Sequence, residues 1–263
     1  MHVCQYEGPK TKDLSLKAEK GFTLIELSIV IVVIGLIVAS IVGGQALINQ
    51  SKLRVLVTDV NTYELATNTF KLIYNSLPGD FARANDYGFG ASGNGDRQIT
   101  DGNSPREALF YVVHLSNAGL YEGSYSCTPC VYFQIGVNKP RIRYSDNVTF
   151  YVVYTSLNTN VPTANHSGTY NGLYRDWYGN ALEVGQATET DGSGRSWMGF
   201  LSVKDAQSIE SKIDDGQPGT GRLVVTGSHG TTLCTNRTIM QSLPVAFNFT
   251  DNGQNCRLFF KIN

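Results

Sequence analysis

The sequence predicts an α+β fold. A long N-terminal helix, membrane-spanning in its first half, packs its second half on an antiparallel β-sheet head carrying short inserted helices. Three observations lead there. From Leu24 to Val42 the only polar side chains are Glu26, Ser28 and Ser40, and the apolar run continues to about Ile48; that length suits a membrane-crossing helix. Beyond it, Leu56, Val60, Tyr63, Thr67, Phe70 and Tyr74 recur at three- and four-residue steps, the period of one helix face. The remainder is rich in Gly, Tyr, Asn, Ser and Thr and breaks into short β-branched and aromatic segments, the pattern of strands joined by turns.

The long helix places Lys52, Asp59, Asn61, Glu64, Asn68 and Lys71 opposite its apolar positions and ends at Asn75-Ser76-Leu77-Pro78-Gly79, because Pro removes a donor and biases the preceding residue away from helix. Gly43-Gly44 interrupts the apolar run, which is consistent either with local melting or with close helix–helix approach through small residues. Residues 79–103 read as a Gly-, Asn- and Asp-rich loop. Ser104-Pro105-Arg106-Glu107 then opens a helix to Ala118, with Ser as cap, Pro in the first turn and Glu three residues after the cap. A second short helix is expected over Val203–Ile213, capped by Ser202 and left through Asp214-Asp215-Gly216. Strands are expected at Val131–Val137, Arg141–Tyr144 and Val148–Tyr154. Weaker candidates lie at 173–174, 182–184, 197–200, 222–226, 245–249 and 257–262.

The N-terminal junction is the most specific feature. Lys10, Lys12, Lys17 and Lys20 outnumber the acids of the first twenty residues, and then Gly21-Phe22-Thr23-Leu24-Ile25-Glu26 leads directly into hydrocarbon. The excess of lysine ahead of the span places the leader in the cytoplasm. A lone carboxylate at Glu26 inside such a run is costly and marks a functional position. At these residues the chain resembles the type IV pilin and pseudopilin superfamily. The resemblance implies cleavage between Gly21 and Phe22 by an inner-membrane prepilin peptidase, N-methylation of the new Phe22 amine, and pairing of Glu26 with the Phe22 amine of a neighbouring subunit. It divides the chain into a leader at 1–21, a transmembrane and filament-core helix at 22–51, and a periplasmic or extracellular head at 52–263. The implied partners are the peptidase, identical or related subunits in a helical filament, an inner-membrane assembly platform and membrane lipid. The implied location is the bacterial inner membrane, single pass, with the head periplasmic or on a surface filament.

Four cysteines follow the leader, Cys127, Cys130, Cys234 and Cys256. An even number outside the cytoplasm argues for disulfides, and four permit three connectivities. The preferred pairing is Cys127–Cys130 and Cys234–Cys256, the second closing a C-terminal loop as in many pilins. Cys127-Thr128-Pro129-Cys130 also has the spacing of a thiol oxidoreductase motif or half of a zinc site, the basis of an alternative extracytoplasmic oxidoreductase reading. Ser92-x-Asn94-x-Asp96, with Asp101 beyond, faintly resembles a calcium loop, but Arg97 replaces its tight-turn Gly; these residues are weak metal candidates, and no cofactor is expected. Asp214-Asp215-Gly216 reads as an ordinary acidic turn. His114, His166 and His229 are expected in surface or turn settings, and no catalytic motif is present, so no enzymatic activity is expected. Net charge is −1, and no basic stripe suggests nucleic acid. A third reading, a minor pilin whose head binds a surface ligand, rests on Tyr174, Trp177 and Tyr178.

Overall fold

The structure, a computed structural model, describes residues 21–100, 106–127, 133–156, 169–171, 179–187, 198–228, 233–236 and 245–262. It divides into two compact units with the boundary between Ile48 and Asn49, three residues before the expected 51/52 division. Helix α1 (Leu24–Tyr74) contributes to both. In the first unit every residue from Gly21 to Ile48 is exposed, and the helix runs unbroken through Gly43-Gly44.

In the second unit, α1 buries Leu53, Leu56, Val60, Tyr63, Ala66, Thr67 and Phe70, with Tyr74 partly covered. This is the face that the sequence period marks out. Asp59, placed by the pattern on the polar face, is instead buried; its carboxylate accepts from the Arg143 backbone N–H and from Nε, each at 2.8 Å. The helix ends at Tyr74, and Asn75 takes a left-handed φ of 52°, a conformation Asn tolerates well.

The sheet contains β1 (Arg141–Ile142), β2 (Ser145–Ser156), β3 (Thr169–Asn171), β4 (Gly179–Gln186), β5 (Leu223–Gly227) and β6 (Cys256–Lys261). Its main path runs β1-β2-β4-β6-β5 with antiparallel pairing throughout, while β3 pairs in parallel with β2. Register lines up Leu182, Phe260 and Leu223 across three strands. Phe150, two residues along β2 from Val152, the partner of Leu182, lies on the same face, and its ring sits 5.0 Å from that of Tyr63 on α1. Residues of alternate parity in β4 and β6 are buried as well. There Arg257 and Glu183, both fully buried, form an ion pair at 2.7 Å, and Arg257 Nε donates to the Gly227 carbonyl.

Helix α2 (Glu107–Asn117) is buried over nine consecutive residues, and α3 (Val203–Ile213) packs against β5 and β6. For α3 the expected ends and cap are found: Ser202 Oγ accepts from the Asp205 N–H. Three expected strands differ. The described part of 131–137 is a turn bridged between Ile135 and Lys139 rather than a strand, since Gly136 (φ 82°) and its neighbours fold the chain back. The candidates at 197–200 and 245–249 make only isolated bridges, Met198 to Gln186 and Phe247 to Thr235. The candidate at 173–174 lies outside the described residues.

Candidate processing and assembly site

The junction residues are built from the backbone outward. Gly21 and Phe22 precede the helix, and Phe22 is 89% exposed. Among the described residues, no atom outside its immediate chain neighbours lies within 4 Å of where a Gly21 side chain would begin. Nothing among the described residues covers the Gly21–Phe22 peptide. Thr23 and Glu26 form a reciprocal capping box: Glu26 Oε2 accepts from the Thr23 N–H at 2.9 Å and from Thr23 Oγ1 at 2.7 Å, while the Glu26 N–H donates to Thr23 Oγ1 at 3.3 Å. Such boxes satisfy two otherwise orphaned donors at a helix start. Within this chain Glu26 thus fixes where the helix begins, immediately after Phe22. The T-x-x-E spacing of Thr23 and Glu26 is the local sequence signal of this box.

Downstream, each exposed apolar side chain from Leu24 to Ile48 lacks a covering partner among the described residues. A helix that is apolar all round is stable only in lipid or packed among others. Its length and composition suffice to cross a membrane.

The head's expected metal candidates are turn-forming residues. Asn94 Oδ1 accepts from the Asp96 N–H, and Asp96 Oδ1 accepts from the Gln98 N–H. Arg97 takes the left-handed conformation usually given to Gly. Asp80 and Glu107, buried beside them, clamp the same loop. Asp80 accepts from the N–H groups of Gly95, Asp96 and Arg97, and Glu107 from those of Asn94 and Thr100 together with Thr100 Oγ1. Asp80, Asp96 and Glu107 lie close enough to share an ion, yet these donors already occupy the two buried carboxylates. Glu107, expected three residues after a Ser104 cap, binds the preceding loop; Ser104, Pro105 and Asp101, and with them the expected cap, lie outside the described residues.

His114 is fully buried, not a surface residue. Its Nδ1 accepts from the Gly79 N–H at 2.9 Å, and Nε2 donates to the Ala91 carbonyl at 2.8 Å. That arrangement specifies a neutral ring, and burial pushes its pKa down to about 4. It joins both sides of the loop to α2, and both ring nitrogens are engaged.

Cys234 and Cys256 are bonded, with Cα atoms 5.1 Å apart. Cys127 is also disulfide-bonded; Cys130 lies outside the described residues, as do His166, His229, Tyr174, Trp177 and Tyr178.

No curated protein and no solved structure matches the chain. A family model does match residues 16–42, by the description prokaryotic N-terminal methylation motif. That stretch contains the exposed Gly21–Phe22 peptide, the Thr23–Glu26 box and the start of the uncovered apolar helix: the chain carries the N-terminal signal of type IV pilins and pseudopilins.

Proposed function

We propose that this chain is a structural subunit of a type IV pilus-like filament or a type II secretion pseudopilus. The observation that carries it is the methylation motif placed on an accessible Gly21–Phe22 peptide ahead of an uncovered apolar helix. A prepilin peptidase cuts after Gly21 and Phe22 is methylated. The helix then holds the subunit in the inner membrane with the head in the periplasm, until an assembly platform moves it into a filament. There the apolar surface trades lipid for equivalent helices of neighbouring subunits. Glu26, already oriented by Thr23, meets the Phe22 amine of a neighbour and sets axial register, since a carboxylate in hydrocarbon is relieved by a partner cation.

The test is to express the full chain at native level beside a Gly21→Arg variant, follow processing by mass, and compare sheared filaments with membranes. Conversion of the wild type to a chain beginning at methylated Phe22, blocked in the variant, supports the reading. Mature-length protein from Gly21→Arg overturns the cleavage site. Recovery in sheared filaments assigns a pilus subunit, and retention in the membrane assigns a pseudopilus or minor component.

A further inference from the structure

At the C-terminal end of α3, Glu210, Asp214 and Asp215 each place a carboxylate oxygen within 4.8 Å of the others. Two oxygens bound to one calcium at about 2.4 Å can be no further apart than that. The surrounding chain engages two of the three carboxylates. Asp214 Oδ2 accepts from the Leu223 N–H at 2.6 Å; Asp215 accepts from the Gln217 N–H at 2.8 Å and from Thr220 Oγ1 at 2.6 Å. Gly221, at φ 78°, is needed here, because a side chain at that position would run into the Asp214 carboxylate.

Glu210 is different. It is fully buried, and no N–H, hydroxyl or cationic group donates to either carboxylate oxygen; the polar groups beside it are the Asp214 and Asp215 carboxylates, and only a shared proton could join it to Asp215. A buried acceptor pair left without donors is costly, and two more carboxylates beside it increase the cost. No lysine or arginine among the described residues forms an ion pair with any of the three. The contrast with Asp80 and Glu107 is direct, since there backbone N–H groups satisfy the buried acids.

We infer that Glu210, Asp214 and Asp215 bind a hard divalent cation, calcium or magnesium, which locks the end of α3 to the loop leading into β5. All three ligands are oxygens, with no imidazole or thiolate, which suits hard cations and disfavours zinc or copper. Burial and the neighbouring acids push the Glu210 carboxyl up to about 8 in the absence of an ion, so proton uptake is the competing way to relieve the same charge. This site is separate from the Asn94–Asp96 loop and independent of how the N-terminal helix assembles.

The experiment is thermal unfolding of the full chain in mild detergent after chelation, titrated separately with calcium and with magnesium. At a hundredfold excess over Kd, the bound ion should raise Tm by about 5–10 °C. Glu210→Gln should remove that rise. Asp215→Asn, at an exposed position, should weaken binding at least about tenfold, read as the ion-induced rise above the variant's own ion-free Tm. Two results overturn the assignment. One is no response to either ion up to about 10 mM, beyond the weakest extracellular calcium sites. The other is an equal response in the wild type and in Asp215→Asn, which would place the ion elsewhere.

Discussion

Acidification should weaken the head through His114, and the size of the effect follows from the ring's setting. Its pKa falls from the ordinary 6.5 to about 4 because burial excludes the charged form, although the bond to the Ala91 carbonyl acts in the opposite direction. Protonation would also set a second N–H against the Gly79 N–H that Nδ1 now accepts. The folded pKa is depressed, so protons favour the unfolded chain. The contribution is complete above pH 6.5, is lost as pH falls from 6.5 towards 4, and changes no further below that. By linkage, the loss at pH 4.5 is about 2.5 kcal/mol, or roughly 5–10 °C in Tm for a domain of this size. Other buried acids shift the opposite way, so the comparison is between wild type and His114→Gln, which cannot titrate. Denaturant unfolding at pH 7.5 and 4.5 should show the wild type's advantage over the variant shrinking by about 2.5 kcal/mol. An advantage unchanged within about 0.5 kcal/mol would refute the buried neutral ring.

Glu26→Ala should still be cleaved, because the scissile peptide lies outside the capping box, but should reach the sheared filament fraction poorly; wild-type filament yield from this variant would remove the register role. Replacing both Cys234 and Cys256 by Ser opens a loop with a sequence separation of 22 and should cost about 3 kcal/mol by the chain-entropy estimate, read from denaturant midpoints under oxidising conditions. Gly79→Ala should lower stability by at least about 2 kcal/mol. Its φ is 83°, and the added Cβ would press on the Glu107 backbone. An unchanged Tm would contradict the close crossing of this turn over α2.

Local signals carried much of the molecule. The three- and four-step spacing of Leu56, Val60, Tyr63, Thr67 and Phe70 marked the buried face of α1 because a helix repeats side-chain direction every 3.6 residues, whatever it packs against. Ser202 and the apolar steps Ala206 and Ile209 defined α3 for the same reason, as a cap acts within three residues. The G-F-T-L-I-E junction was legible because the methylation motif is a short contiguous segment, held within residues 16–42. Strand edges were less clear. Whether 245–249 forms a strand or a single bridge depends on which partner arrives.

The tertiary structure decided the polar interior. Asp59 looked like a solvent-facing residue until Arg143, 84 positions away, came beside it. His114 became a neutral strap only because Gly79, 35 positions earlier, presents an N–H to it. Glu183 meets Arg257 across 74 residues. Desolvating a charge or an imidazole is unfavourable by itself and becomes tolerable only with a partner, and no window of sequence contains these partners. Apolar periodicity told this chain which side of α3 and of the second half of α1 to hide; the folded backbone alone determined which polar groups could be hidden with them.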